Sequence, residues 1–452
     1  MLDNSIWEWV FGAGITKNCY ITEAIAINHS MISDFSDIVS SIVSKLFALV
    51  IDNHWQILLA ISSVLIAEVL RDCYHIAGHY WRPLMPWHNL HHKAFRADLS
   101  KVSMDIYRQS ELFNDVPEAT FMVLATGAIA WLAHLYGYGW GMVLGSIYSF
   151  AFLTTAFARS QGLLLKTDLT HEPGDLVQLP SHWTVNRTYH WRHHFDRGEA
   201  YFCSTFTFVD RFLGTALALK GKTIAITGAS GTLGRALVTE LAKRGAKVIA
   251  LTTSPDACNF EIAQDNKNKV EVLTWQLGNE SALVDRLQKI DILILNHGVN
   301  VMGARDSESI YKSYEVNTFS VFRWMDLFLE TVTESKHIAT KEIWVNTSEA
   351  EVNPALSPLY ELSKRAIGDL VTLRRLDKPC TIRKLILGPF KSDLNPYGVM
   401  SASFVAWAIA ALAQRDFRDI IVTVNPITFI AYPVKEFCRS LYFRIFSRRK
   451  SS

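Results

Sequence analysis

Charge is scarce in this chain. Of its 452 residues, 19% are Asp, Glu, Lys or Arg, against about 25% in an ordinary soluble protein. Residues 119–158 contain none. With 49% apolar residues, the composition argues against a disordered or wholly soluble chain. An excess of one sign is also missing: 45 basic and 43 acidic residues leave +2, so no strong field draws nucleic acid. Glycine (23) and proline (13) are too few for a fibrous or low-complexity chain. The six cysteines (Cys19, Cys73, Cys203, Cys258, Cys380, Cys438) include no C-x-x-C pair. That excludes a dense disulfide framework and a thiolate zinc site. The opening MLDNSIWEWVF has no basic n-region, so no cleaved signal peptide is expected.

What is present is unevenly distributed. The uncharged stretch reads as two apolar halves around Tyr136–Gly139, each long enough to cross about 30 Å of hydrocarbon. Upstream, 42–51 and 55–70 are also apolar, as a second hairpin or one long span. Arg and Lys crowd 71–108 and 159–222, which places both flanks on the cytoplasmic side of a multi-pass membrane protein. Near Lys220 the pattern changes to alternating strands and helices. The length predicts two or three units. They are an N-terminal segment 1–36, a membrane domain 37–218, an α/β domain 219–425, and a basic tail 426–452. In that tail Val434, Phe437, Cys438, Leu441 and Ile445 recur at helical spacing among Lys and Arg. This reads as a helix lying on an anionic membrane surface.

Eight of the 15 histidines fall into three groups: His75-x-x-x-His79, His88-x-x-His91-His92 and His190-x-x-His193-His194. Spacings of three and four put imidazoles on one helix face, and neutral imidazole suits iron, zinc or copper. Eight ligands exceed what one four-coordinate ion uses, so the count favours two metals. The set resembles the membrane fatty acid hydroxylase/sterol desaturase superfamily, with the apolar hairpin between the second and third boxes. The phrase FDRGEAYFCSTFTFVDRFLGT after the third box is similar to that family's closing segment. The resemblance implies a di-iron centre that uses O₂ and an external donor, such as a ferredoxin or cytochrome, on a lipid C–H bond. It adds His171 as a ninth ligand, with Asp175 as a carboxylate that binds metal or orients a ligand, and His182 as a weaker candidate.

In the second half, TGASGTLG sets Gly228, Ser230, Gly231 and Gly234 between a strand and a helix. Such a turn lets backbone N–H groups approach a pyrophosphate. From 221 to 425 the chain resembles the short-chain dehydrogenase/reductase family. The matching residues are Asn296-His297-Gly298, Asn317, Ser348 and Tyr360-x-x-x-Lys364. The resemblance implies that Tyr360 exchanges the hydroxyl proton and that Lys364 lowers its pKa and holds the ribose. Ser348 binds the substrate oxygen, Asn317 supports a water relay, and Ser392 reaches the carboxamide. Thr252-Thr253-Ser254 replaces the usual acid and Arg235 stands beside the glycine turn, which favours NADP over NAD. Gln276 replaces an adenine-contacting Asp, and His297 a small residue.

The expected architecture is therefore an α-helical transmembrane histidine-box domain followed by a doubly wound parallel Rossmann domain. The expected activity is a lipid hydroxylase or desaturase fused to a dehydrogenase acting on the resulting alcohol or on a carbonyl. Fatty-aldehyde-to-alkane conversion and a non-catalytic NADP-binding membrane scaffold are the alternatives.

Overall fold

The computed structural model describes residues 38–45, 53–254 and 270–448. The expected N-terminal segment 1–36 and the last residues of the basic tail lie outside the described residues. By contacts the chain divides into two compact units, Met1–Ala67 with Met122–Phe150, and Glu68–Phe121 with Ala151–Ser452. The second unit therefore holds all three histidine boxes and the whole α/β half.

The apolar run 55–70 does not end before the first box. It belongs to one helix, His54–Tyr80, that continues through His75 and His79. Among the described residues, one helix is long and apolar enough to cross a membrane, Met104–Leu135. The second half of the uncharged stretch forms the 18-residue helix Val143–Ser160. Gly137 and Gly139, both at positive φ, make the intervening turn. Within the first unit, Gly141 and Gly145 admit close backbone approach: a Cβ on either would stand 2.6 or 2.5 Å from the carbonyl oxygens of Gln56 and Ser63. Small residues four apart are the usual means of bringing apolar helices together without a hydrophobic driving force.

The α/β half is built on a seven-stranded, wholly parallel sheet ordered β3-β2-β1-β4-β5-β6-β7. The strands are β1 Thr223–Thr227, β2 Lys247–Thr252, β3 Glu271–Thr274, β4 Ile292–Leu295, β5 Glu342–Asn346, β6 Thr381–Leu387 and β7 Asp419–Val422. β1, β2 and β4 are mostly apolar and buried, as strands covered on both faces must be; β6 is fully buried too, but carries Arg383 and Lys384 in ion pairs. Alternation divides them between two cores. Ile224 and Ile226 face Leu237 and Ile409 from Thr232–Lys243 and Ala402–Gln414. Ala225 and Leu293 face Trp324, Phe328 and Ile367 from Val321–Leu329 and Pro358–Arg375. The strand order reverses between β1 and β4. A doubly wound sheet binds its ligand in the crevice at that switch point.

The histidine-rich segments and this sheet pack as one unit through buried ions. Arg192, inside the third box, donates to the Ala339 carbonyl at 2.6 Å and lies 3.4 Å from Glu342, the first residue of β5. Glu342 is bound twice by Arg383 of β6, at 2.8 and 3.0 Å. Arg383 also holds Asp416 at 2.8 Å, which in turn meets His182 at 3.1 Å. Lys222 reaches Asp196 at 2.6 Å. His182, weighed above as a metal ligand, belongs to this ion network.

Candidate functional site

The nine histidines named above converge. Four donor atoms, from His75, His79, His88 and His193, lie within 4.8 Å of one another, and so do four from His91, His171, His190 and His194. His92 stands between the groups, with its Nε2 2.9 Å from that of His88 and its ring 4.5 Å from the ring of His194. The third box lies partly in a π-helical turn, Arg192–Asp196. Such turns occur mostly as single-turn bulges inside α-helices, frequently at functional sites. His193 and His194, adjacent in this turn, belong to different groups.

Burial favours the neutral form, the one that ligates metal, at His75, His79, His88, His91, His92, His190, His193 and His194. It pushes His91 down to about 4 and His193 to about 3. Several rings are oriented from behind. His171 Nδ1 meets Asp168 at 2.7 Å, and His193 Nδ1 meets the Ala200 carbonyl at 2.8 Å. A partner on the second nitrogen fixes the tautomer and aims the first. Sequence reasoning offered Asp175 for this role, but Asp175 is exposed and the carboxylate behind His171 is Asp168. A D-x-x-H spacing was the signal available. Chemically, the arrangement offers two sets of nitrogen donors side by side.

At the sheet's switch point lies a cavity of about 960 Å³. It is lined by Gly228, Ser230 and Gly231 after β1, by Asn296 and Gly298 after β4, and by Ser348, Tyr360, Lys364 and Ser392. Four candidate residues do not line it and act from beneath. Gly234 packs so closely that a Cβ would stand 2.1 Å from the Gly228 carbonyl oxygen. Gly234→Ala is therefore expected to displace the turn and abolish dinucleotide binding, measured by calorimetric titration with NADP. Arg235 Nε donates to the Ser230 carbonyl at 2.7 Å, and Thr252 Oγ1 lies 3.0 Å from Ser230 Oγ. Both features read as favouring NADP thus meet at one serine. Asn317 is buried within the π-helical turn Glu315–Ser320. Its amide bridges both polar atoms of Val299, at 2.8 and 2.9 Å. It braces the loop that carries Gly298, outside the cavity where a water relay was expected.

The reactive end is assembled from three elements. Tyr360 and Lys364 sit one turn apart near the start of Pro358–Arg375. Lys364 Nζ donates to the Asn346 carbonyl at 2.8 Å, and burial lowers its pKa to about 8, which leaves it charged at neutral pH. Burial raises Tyr360, while a hydrogen bond with Ser348 opposes that rise. Ser348 adopts φ +76°, a conformation costly for a non-glycine residue and concentrated at functional sites. His297, a departure noted above, lies in the cavity wall with Nδ1 2.7 Å from Thr227 Oγ1 and its ring against Trp275. Trp275 was not foreseen, because nothing in its local sequence marks it.

A sequence model of the short chain dehydrogenase family matches residues 222–394. Over 405 residues, 86% of this chain, the sequence is 55% identical to the monoglucosyldiacylglycerol epimerase of Synechocystis sp., 97% of which is covered. It is 31% identical over 127 residues to the 3-oxoacyl-acyl-carrier-protein reductase FabG of Escherichia coli, covering 26% of this chain and 52% of that protein. Among solved structures, a short chain dehydrogenase from Burkholderia cenocepacia in complex with NADP matches 51% of this chain and 100% of its own, at 19% identity and a TM-score of 0.41.

Proposed function

We propose, for a chain that belongs to the same family as the monoglucosyldiacylglycerol epimerase of Synechocystis sp. and carries a short-chain dehydrogenase domain, that it inverts one hydroxyl-bearing carbon of a glucosyl diacylglycerol headgroup. The observation that carries this reading is the identity of 55% over nearly the whole of that relative. The dehydrogenase class is an oxidoreductase. Inversion uses that chemistry twice in opposite directions.

A nicotinamide dinucleotide, NADP by the residues around Ser230, supplies reversible two-electron oxidation of a carbinol. The glycine cradle fits it, since Gly228 and Gly234 leave no room for a side chain. The chain's residues handle the proton. Tyr360 takes it from the sugar hydroxyl and later returns it to the same oxygen, while Ser348 hydrogen-bonds that oxygen. The charge on Lys364 favours the deprotonated tyrosine. Inversion requires the oxidised ring to present its opposite face before reduction. Every electron and proton removed is restored, so the reaction consumes neither O₂ nor an external donor. Incubating the purified full chain with NADP and the glucosyl lipid, then identifying the headgroup sugar, tests the reading. Only glucose after prolonged incubation would refute it.

The second reading concerns the histidines. We infer that they hold two metal ions, iron by the family resemblance, which would supply redox chemistry toward O₂ at a lipid. The convergence of nine imidazoles supports this, and the donor set fits: nitrogen ligands, mostly buried, several with partners behind them. Asp168→Ala is expected to weaken metal binding about 10–100-fold, read as metal retained per chain after dialysis against a chelator. Full retention would count against the reading.

A further inference from the structure

The C-terminal helix Thr428–Phe446 is held by one face only. Thr428 and Tyr432 are buried, Glu436 accepts from Lys384 at 2.7 Å, and Lys435 reaches Asp369 at 2.8 Å. The opposite face is apolar and open to solvent. Ile430 is 73% exposed, Val434 58% and Phe437 69%, with Leu441 and Ile445 continuing the stripe. Spacings of three and four keep these on one side.

Two further observations say what covers this stripe. The helix begins at the mouth of the cavity. Thr428 Oγ1 donates to Glu349 at 3.0 Å and accepts from Asn353 at 2.7 Å. Glu349 and the loop Pro354–Leu356 line that cavity, and Leu356 and Tyr397 on its rim are 92% and 84% exposed. Exposed apolar surface thus occurs on the cavity rim and on the helix anchored beside it. The helix also carries one acid, Glu436, which faces inward with its neighbour Lys435, against the cations Arg439 and Arg444, and the sequence continues Arg448-Arg449-Lys450. A second copy of this surface would bring like charges together, whereas anionic lipid complements them.

We propose that this helix and the rim of the dehydrogenase cavity form a docking face for an anionic bilayer surface. A lipid-linked sugar enters the cavity there while its acyl chains stay in the membrane. The sugar's entry rests on the glycolipid reading above; the docking itself does not.

The test uses the full chain in nanodiscs of phosphatidylcholine and phosphatidylglycerol. Cys19, Cys73, Cys258 and Cys438 are replaced, and an environment-sensitive fluorophore is placed on Phe437→Cys or, separately, Val434→Cys. Asp285→Cys, on a short helix before β4, is the reference. Shallow nitroxide lipids are expected to quench the 437 and 434 labels at least about threefold more than the 285 label, with aqueous iodide showing the reverse order. Equal iodide access at all three positions would overturn the proposal. So would shielding of 437 from both quenchers, the outcome of coverage by a second protein copy. Neither readout requires turnover, so failure of the inversion reading and failure of docking are separately visible.

Discussion

Tyr360→Phe is expected to lower the rate of headgroup inversion by about 10²–10⁴-fold while leaving NADP affinity near that of the unmodified chain. The argument is local. In the proposed mechanism the phenol exchanges the proton, and Ser348 lies beside it with Lys364 one helical turn away. Phenylalanine keeps the ring and its packing, so the Pro358–Arg375 helix and the cavity wall persist. Both half-reactions need the same proton site, so neither product nor oxidised intermediate should accumulate. Calorimetric titration with NADP and a time course of headgroup composition check the two halves. Inversion at an undiminished rate would remove Tyr360 from the mechanism.

The largest expected effect on stability is at Glu342. It lies fully buried between Arg192 of the third histidine box and Arg383 of β6. Its replacement by alanine leaves two guanidinium groups buried with one partner fewer, and such a loss costs about 3–5 kcal/mol. The same network carries a pH dependence. Burial alone would raise the carboxyls of Glu342 and Asp416, but the charge and hydrogen bonds of Arg383 hold Glu342 below its ordinary range, and the charge of Arg383 with the hydrogen bond from His182 does the same for Asp416. A depressed acid stabilises above its unfolded pKa and loses that contribution as pH falls through the folded one. The unmodified chain should therefore lose stability below about pH 4, and Glu342→Ala should flatten that slope. Denaturant midpoints at neutral and acid pH measure both. Unchanged midpoints would show that the network contributes nothing.

Much of this was legible in the chain because it rests on spacing. Histidines three and four apart announce a shared helix face, and glycines between a strand and a helix announce a close backbone approach. What spacing does not carry is tertiary. Asn317 matches its family position, yet its amide is occupied by Val299, and only the path of the loop after β4 shows that. Asp168 rather than Asp175 backs His171 because a 3₁₀ turn, Leu169–His171, folds it underneath. The ion network is dispersed over residues 182, 192, 342, 383 and 416, separations that no local pattern connects. The apolar run 55–70 likewise does not show how far its helix extends: the helix continues through Arg71 and the buried Asp72 to Tyr80.

The claim on which the functional account stands is that inversion at the lipid's sugar proceeds without net oxidation. The most direct measurement is mass and sugar analysis of the glycolipid after incubation in air with the purified protein, a catalytic amount of NADP and a headgroup deuterated at its ring carbons. The account predicts an inverted sugar of unchanged mass that retains its deuterium. A product heavier by an oxygen atom or lighter by two hydrogens, or no inverted sugar at all, would contradict it.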